Sequence, residues 1–254
     1  MIRLIGGVSV IALTISGAIG QSAPPPRAFE VASIKPHEGP LHTIFGFSSS
    51  GTRATYEAYP AVGLIMEAYN LKNYQVSFAV PQPEMVYYDI FAKAEGDGAP
   101  SRNDFRQMLQ TLLADRFKLK VHREIKEMPV YALVVGKNGP KFKESAPDAV
   151  WSGRGTVNGR NQAMAQTKAT MDDVAETIRN NGFLDRPVLD KTGLTGTYDF
   201  KIESTPEFRI NNNPELTDIS VFTAVQDQLG LKLEPQKAPI EILVVDHIEK
   251  PTAN

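Results

Sequence analysis

Residues 88–94 read Tyr-Asp-Ile-Phe-Ala-Lys-Ala, and a related stretch, Tyr-Asp-Phe-Lys-Ile-Glu, occurs 110 positions later at residues 198–203. Three further blocks match in the same order, with displacements between 110 and 116. They pair residues 109–113 with 225–229, 117–119 with 231–233, and 129–135 with 239–245. Because internal repetition changes the expected architecture, we predict a tandem duplication, with one copy over about residues 44–135 and the other over about residues 151–247.

The spacing of apolar residues predicts a helix in each copy. In the first copy, Phe105 begins an apolar stripe with helical spacing that runs to Leu113, and Ser101 followed by Asp104 is typical of an N-terminal capping box. In the second copy, the corresponding stripe lies at residues 221–229. Asp218 or Ser220 is expected to start that helix, and Gly230 is expected to end it.

Strands and two further helices complete the predicted units. Thr170 and Asp173 predict the start of a helix at 171–182, whose partner is expected at 60–69 with Pro60 at the first helical position. Alternating or continuous apolar runs predict strands at 29–34, 86–94, 118–123, 130–135, 198–203 and 240–246. Without regular alternation of strand and helix, this order predicts an α+β fold. We expect two tandem similar small units, each with helices packed on a mostly antiparallel sheet.

The chain is divided by composition as well as by pattern. Residues 1–20 contain Arg3, an apolar run, and small residues before a possible cleavage site after Gly20, which is typical of a signal peptide. Retention of this segment as an anchor remains an alternative. Residues 21–28 form a Pro-rich tether, residues 29–135 the first repeat, residues 136–150 a connector, and residues 151–254 the second repeat. The mature protein is therefore expected to be exported, either periplasmic or secreted, with no membrane span after signal cleavage.

Composition excludes several functional classes. The 254 residues include no cysteine, which rules out disulfide scaffolds, thiolate zinc sites, iron-sulfur clusters and thiol enzymes. The 27 basic and 29 acidic residues give a net charge of −2, which argues against binding to nucleic acid.

The histidines provide the main chemical candidate. His122 and His247 follow predicted strands in the two copies, near Glu124 and Asp246, and could form a His/carboxylate site if the copies face each other. A polar strand end facing water explains the same residues, so we assign no catalytic, metal-binding or cofactor-binding residue. His37 and His42 lie in a Pro/Gly loop and are expected to be solvated.

Other polar residues are given structural interpretations or weaker binding roles. Trp151, Arg154 and Arg160 in the connector region could stack on a ligand. Asp89 and Asp199 occupy equivalent positions and are expected to fix a turn or to pair with a nearby lysine. The segment Asp-Lys-Thr-Gly at residues 190–193 is interpreted as a turn before a strand.

Several segments together resemble an uncharacterised family of exported proteins that is expanded in soil acidobacteria. The resemblance extends from about residue 29 to residue 251 and rests on residues 29–36, 112–119, 122–124, 129–135, 190–200 and 246–251. It implies an extracytoplasmic binding or sensory role, because some relatives join this domain to a membrane metallopeptidase. Each half-repeat is also similar in pattern to the short N-terminal module of secretins and TonB-dependent outer-membrane receptors, which mediates protein contacts.

These observations favour a non-catalytic binding, sensing or protein-interaction module. Its expected partner is an extracytoplasmic peptide, protein or cell-envelope ligand, taken in a groove between the units or along an exposed sheet edge. One alternative is an extracytoplasmic hydrolase with a dispersed His/carboxylate site, since catalytic residues often come from distant segments. An envelope scaffold is a third possibility.

Overall fold

A computed structural model of the protein describes residues 27–40, 46–82, 84–215 and 217–252. The predicted signal peptide at 1–20, most of the predicted tether and His42 lie outside the described residues.

Twelve strands, five α-helices and one short 3₁₀ helix at Asn73–Gln75 are formed by the described residues. The strands of the first half and of the connector are β1 (Phe29–Pro36), β2 (Gly46–Ser50), β3 (Arg53–Pro60), β4 (Val76–Phe78), β5 (Tyr87–Ala94), β6 (Lys120–Val135) and β7 (Lys143–Glu144). The remaining strands are β8 (Ser152–Asn158), β9 (Asn161–Ala169), β10 (Val188–Asp190), β11 (Tyr198–Ser204) and β12 (Leu231–His247). The helices are α1 (Ala61–Tyr69), α2 (Arg102–Arg116), α3 (Met171–Gly182), α4 (Glu207–Asn212) and α5 (Val221–Leu229).

Two of the predicted helix starts are complete capping boxes. The Ser101 hydroxyl accepts a hydrogen bond from the Asp104 backbone N–H, and the Asp104 carboxylate accepts one from the Ser101 backbone at the start of α2. Thr170 and Asp173 form the same reciprocal pair at α3. Each box satisfies backbone donors that have no partner within the helix.

The ends of α1 and α5 are only partly as predicted. Ser220 caps α5, and Gly230 ends it in the left-handed conformation with φ of +68°, as expected for a helix C-terminus. Pro60 is the N-cap of α1 and has extended backbone geometry, so its predicted assignment to the first helical position is wrong. It is also the last residue of β3, and the strand therefore passes directly into the helix.

Two outer sheets share one design. The first has the strand order β1-β5-β3-β2 and the second has the order β7-β11-β9-β8; all neighbours are antiparallel. In both sheets a hairpin leads into a helix, and a later strand returns to pair with the second strand of that hairpin. Ser48, Ser49 and Ser50 end β2 just before the turn at Gly51.

A third sheet connects the halves and has the order β10-β6-β12-β4. The sequence predicted two separate strands at 118–123 and 130–135, but these are parts of the single strand β6, so that prediction was wrong. Strand β6 runs antiparallel to β12 along nearly its whole length. Short β10 from the second half pairs parallel with β6, and short β4 from the first half pairs parallel with β12.

Three apolar clusters stabilise this arrangement. The first lies among α1, α2, the outer sheet of the first half and the end of β12, and it includes Phe105, Leu109 and Ile90. The second lies among α3, α5 and the outer sheet of the second half, and it includes Ile178 and Phe200. A smaller cluster of Val130, Ala238, Ile240, Ile242 and Val244 lies on the central sheet.

The predicted α+β class is confirmed by these mixed helices and largely antiparallel sheets. The origin of the halves by duplication, and the boundaries 29–135, 136–150 and 151–254, stay predictions. Within the described part of the chain, every helix is too short or too polar to cross a membrane.

Candidate functional site

His122 and Asp246 meet across the central β6–β12 ribbon. His122 lies opposite Val244 in the strand register, and Asp246 lies beside an irregularity between Val245 and His247. The distance between His122 Nδ1 and Asp246 Oδ2 is 2.8 Å, and about half of the His122 side chain is exposed. The pair is therefore in contact with water, which weakens the charge interactions that an enclosed acid-base site would use.

The other members of the predicted cluster have separate partners. His247 Nε2 lies 2.8 Å from Glu249 Oε1, and the Glu124 carboxylate lies 2.5 Å from Lys126 Nζ. All four side chains are substantially exposed. The structure thus brings His122 and Asp246 together, whereas Glu124 and His247 are each bound to a local neighbour. In the described ranges, no group of three histidine or acidic side chains has the arrangement needed to hold a metal ion.

Trp151 and Arg154 belong to an exposed edge of the second outer sheet. Trp151 directly precedes β8, and its side chain is 58% exposed. Arg154 lies within β8, where every residue is exposed. Strand β8 pairs with β9 on one side and is the last strand of its sheet, so its other side has no paired strand among the described residues.

The face of this sheet carries a row of positive charge. Arg154 and Lys201 are both in register with Ala165, on opposite sides of it. The next row contains Thr156 and Glu203, both in register with Ala163. The basic row therefore reaches the open edge at Arg154, whereas the acidic residue is separated from that edge by two strands.

Arg160 was predicted to stack on a ligand, and the structure shows that it also makes structural contacts. Its guanidinium donates two hydrogen bonds of 2.9 Å to the Asp218 carboxylate and others to the carbonyl oxygens of Arg209 and Asn213. The hydrogen bond from Arg160 lowers the pKa of Asp218 to about 2. These contacts fasten the loop that contains α4 to the β8–β9 turn.

The position of His37 differs most clearly from the prediction made from sequence. The predicted solvated position is wrong, because the His37 side chain is only 8% exposed. Its Nδ1 lies 2.9 Å from Asp89 Oδ1, and its Nε2 is buried with no hydrogen-bond partner among the described residues. The recurrence of Asp89 as Asp199 drew attention to this aspartate in the sequence. It did not identify His37 as the partner of Asp89, because the two residues lie 52 positions apart in the chain.

Both equivalent aspartates hold a bulge in the neighbouring strand. Asp89 Oδ1 accepts a 2.8 Å hydrogen bond from the backbone N–H of Ala58, and Asp199 Oδ1 accepts one of 3.1 Å from that of Lys168. Ala58 and Lys168 both have φ of +55°. These aspartates were predicted to fix a turn or to pair with a nearby lysine; the contacts show that each fixes a bulge between strands instead.

Comparison with known proteins identifies the family of this chain. No curated protein and no solved structure matches it. Residues 62–248 match a family described as "Protein of unknown function (DUF3738)". Because the match covers well over half of the 254 residues, the chain belongs to that family.

Proposed function

We propose that this protein is an exported binding module that takes an extended segment of an extracytoplasmic protein or peptide as an added strand along β8. The observation that carries the proposal is the seven-residue strand β8, which is exposed along its length and has no strand paired to its outer side in the described residues. The signal-like segment at residues 1–20 supports an extracytoplasmic partner.

The backbone of β8 supplies the hydrogen-bonding groups. In an antiparallel pair, alternate residues direct their N–H and C=O groups to the neighbouring strand. The remaining residues direct theirs outward, and an incoming strand can pair with them. Edge strands often carry proline or lysine, which oppose such pairing, but β8 contains neither. Gly153 and Gly155 also leave room for the close approach of another backbone.

The side chains around β8 favour a particular kind of segment. Arg154 at the edge and Lys201 in the same row attract an acidic residue on the added strand. Trp151 lies close to Gly153, since a Cβ at that glycine would be 3.6 Å from the indole ring. This exposed ring, together with exposed Val157, provides contacts for apolar side chains. We therefore propose an extended segment that combines apolar residues with at least one acidic residue.

The contacts give less support to the hydrolase alternative. That alternative depends on His122, His247 and two carboxylates acting together in a cleft. In the described residues these groups form two half-exposed pairs, and each carboxylate is held by its own neighbour. Binding along β8 needs no such assembly.

Peptide binding by the chain from residue 27 onward tests this proposal. Extended peptides with alternating apolar and acidic residues would be measured by fluorescence anisotropy, beside versions in which lysine replaces each acidic residue. We expect the acidic peptides to bind more tightly, and Gly155→Pro to abolish binding because proline removes a backbone donor and distorts the edge. Arg154→Glu is expected to reverse the charge preference, whereas Arg154→Lys is expected to retain it.

A matched control uses the other half of the molecule. Ser48→Pro changes β2, which is the edge strand of the first outer sheet, and it should leave peptide binding unchanged. Amide hydrogen exchange should show protection in β8 when peptide is bound. The proposal fails if none of the peptides binds, if Gly155→Pro binds as well as the unchanged protein, or if protection lies outside β8.

A further inference from the structure

The row of residues that crosses the second outer sheet at Gly155 is apolar along its whole length. Gly155 is in register with Met164 on β9, and Met164 is in register with Ile202 on β11. Ile202 is fully buried, Met164 is partly buried and packs against the second apolar cluster, and Gly155 at the edge is exposed. The apolar core therefore continues outward to Met164 and ends where β8 has no side chain.

The two neighbouring rows on the same face of the sheet are different. Because the residues of a strand alternate between faces, Gly153 and Val157 share the face of Gly155. Their partners on β9 are Gln166 and Gln162, respectively, which bring amide groups next to the edge. On this face of β8, Gly155 is therefore the position that has an apolar partner behind it.

The space beside Gly155 is bounded on three sides. A Cβ at Gly155 would lie 3.5 Å from Cε and 3.8 Å from Sδ of Met164, which forms the inner wall. The Trp151 indole lies against the preceding glycine of this face, since a Cβ at Gly153 would be 3.6 Å from the ring. The Val157 side chain follows on the other side. The fourth side is the outer edge of β8, which has no paired strand among the described residues.

An aromatic side chain suits this space. On a residue opposite a glycine, a flat ring can lie across that glycine and reach the strand behind it. Here the ring meets the thioether of Met164, and contact between sulfur and an aromatic ring is favourable. The ring also covers apolar surface of Trp151 and Val157, which are 58% and 67% exposed. Phenylalanine, tyrosine and tryptophan supply such a group.

The opposite face of β8 selects the residue next to the aromatic one. Arg154 directly precedes Gly155 and lies in the basic row with Ala165 and Lys201 on that opposite face. On an added strand, the residue adjacent to the aromatic one also points to that face. A carboxylate there meets the Arg154 guanidinium, whereas a carboxylate two positions away lies on the aromatic face and is directed away from Arg154.

We infer that the strand bound at β8 carries an aromatic residue opposite Gly155 and an acidic residue directly next to it in sequence. The inference rests on the proposed strand addition and adds a sequence requirement to it. The aromatic side chain enters the space between Trp151 and Val157, and the adjacent carboxylate pairs with Arg154.

Three extended, threonine-rich peptides test the inference, with binding measured by fluorescence anisotropy. The first has phenylalanine with glutamate on both sides. In the second, each glutamate is moved one position further from the phenylalanine, and in the third, leucine replaces the phenylalanine. We expect the first peptide to bind about fivefold more tightly than either of the others, as the loss of one charge-assisted or one sulfur–aromatic contact predicts.

Variants of β8 separate this requirement from strand addition itself. Gly155→Val should reduce the preference for phenylalanine over leucine to less than twofold, because the valine side chain fills the space, and it should still bind the leucine peptide. Valine is favourable in a strand, and the nearest atom to its Cβ would be 3.5 Å away. Trp151→Ala, at an exposed side chain, should also reduce the preference. Thr156→Val is the matched control on the opposite face, and it should keep the fivefold preference.

The outcomes distinguish the inference from the proposed function. The inference is overturned if the leucine peptide binds as tightly as the first peptide, if moving the glutamates has no effect, or if Gly155→Val keeps the full preference for phenylalanine. In those cases the peptides still bind, and strand addition at β8 stands. If none of the three peptides binds, the proposed function and the inference are both contradicted.

Discussion

Asp89 on β5 and Asp199 on β11 occupy equivalent positions, and each holds a bulge in the adjacent strand. Their second hydrogen-bond partners differ. Each accepts the backbone N–H of a residue with positive φ in the adjacent strand, where that strand has one extra residue. The second partner of Asp89 is the buried ring of His37, whereas that of Asp199 is the Ser145 hydroxyl at 2.5 Å. The contact that both aspartates share is to the backbone, so the need to hold a bulge explains an acidic residue at both positions.

The difference between the partners changes how much each bulge depends on its aspartate. The Ser145 hydroxyl also lies 3.1 Å from the Lys168 backbone nitrogen and can accept its hydrogen bond. In the first half, the Ala58 N–H donates to the Asp89 carboxylate, and His37, the other partner of Asp89, supplies no hydroxyl that could take its place as acceptor. The hydrogen bonds from Ser145 and then from the Lys168 backbone lower the pKa of Asp199.

The largest expected effects come from the apolar residues that follow these aspartates. Phe200→Ala should lower the free energy of unfolding by about 4 kcal/mol and Ile90→Ala by about 3 kcal/mol, because both side chains are buried in their respective clusters. Phe91→Ala should change it by less than about 0.5 kcal/mol, since that side chain is 52% exposed. Urea unfolding measures all three. Equal losses for Phe91 and Ile90 would contradict the observed alternation of β5.

Removal of the aspartates should have an intermediate and unequal effect. Asp89→Ala is expected to cost about 2 kcal/mol, because it leaves the Ala58 N–H and the His37 ring without their acceptor in a partly buried site. Asp199→Ala should cost less, since Ser145 can still accept from Lys168. The same urea experiment compares them, and adding Ser145→Ala to Asp199→Ala should narrow the difference. A larger loss of stability for Asp199→Ala than for Asp89→Ala would contradict the hydrogen-bond partners assigned to these two aspartates.

The smallest expected effect concerns acid stability, and it distinguishes the loops that follow β5 and β11. The longer loop after β11 is held by Arg160 and Asp218, and the pKa of Asp218 is lowered to about 2. A carboxylate with a depressed pKa in the folded state stabilises the fold above its ordinary pKa near 4, and this stabilisation disappears as the pH falls towards 2. Asp218→Asn should therefore reduce the loss of stability over this interval.

The matched control for this experiment is Asp97→Asn, in the shorter loop after β5, where Asp97 is exposed. Thermal unfolding midpoints would be measured at several pH values from 7 to 2. The Asp97 variant should follow the unchanged protein throughout. If the Asp218 variant also follows it, the Arg160–Asp218 pair does not contribute to acid stability.

Local pattern was sufficient for most helices and failed mainly where the chain pairs over long distances. The Ser101 and Thr170 boxes were predictable because the capping groups lie three residues from the N–H groups they satisfy. The continuous ribbon was missed because Pro129 and Pro235, among charged neighbours, are typical of loops. In the structure both prolines lie within the paired β6–β12 ribbon. The sequence of one strand does not show which of its backbone groups are paired, and so does not show where proline is tolerated.

The candidate site was predictable to a smaller extent than the fold. The sequence selected His122 and Asp246, which do meet, and it selected Trp151 and Arg154, which share an exposed edge. It did not distinguish these exposed groups from buried His37, and it did not bring Arg160 to Asp218. Those relations join residues 52 and 58 positions apart, and spacing along the chain carries no information about such distances.

The sequence by itself determined the α+β class and the apolar faces of the helices, because these depend on residue spacing and on caps within a few positions. Only the tertiary structure decided that β4 and β10 each join the strand of the opposite half, that β8 is left as an edge, and that Trp151 and Met164 border the space beside Gly155. The physical reason is that strand partners and cavities are selected by the total free energy of packing and backbone pairing across the whole chain. The residues of any short segment contribute only part of that free energy.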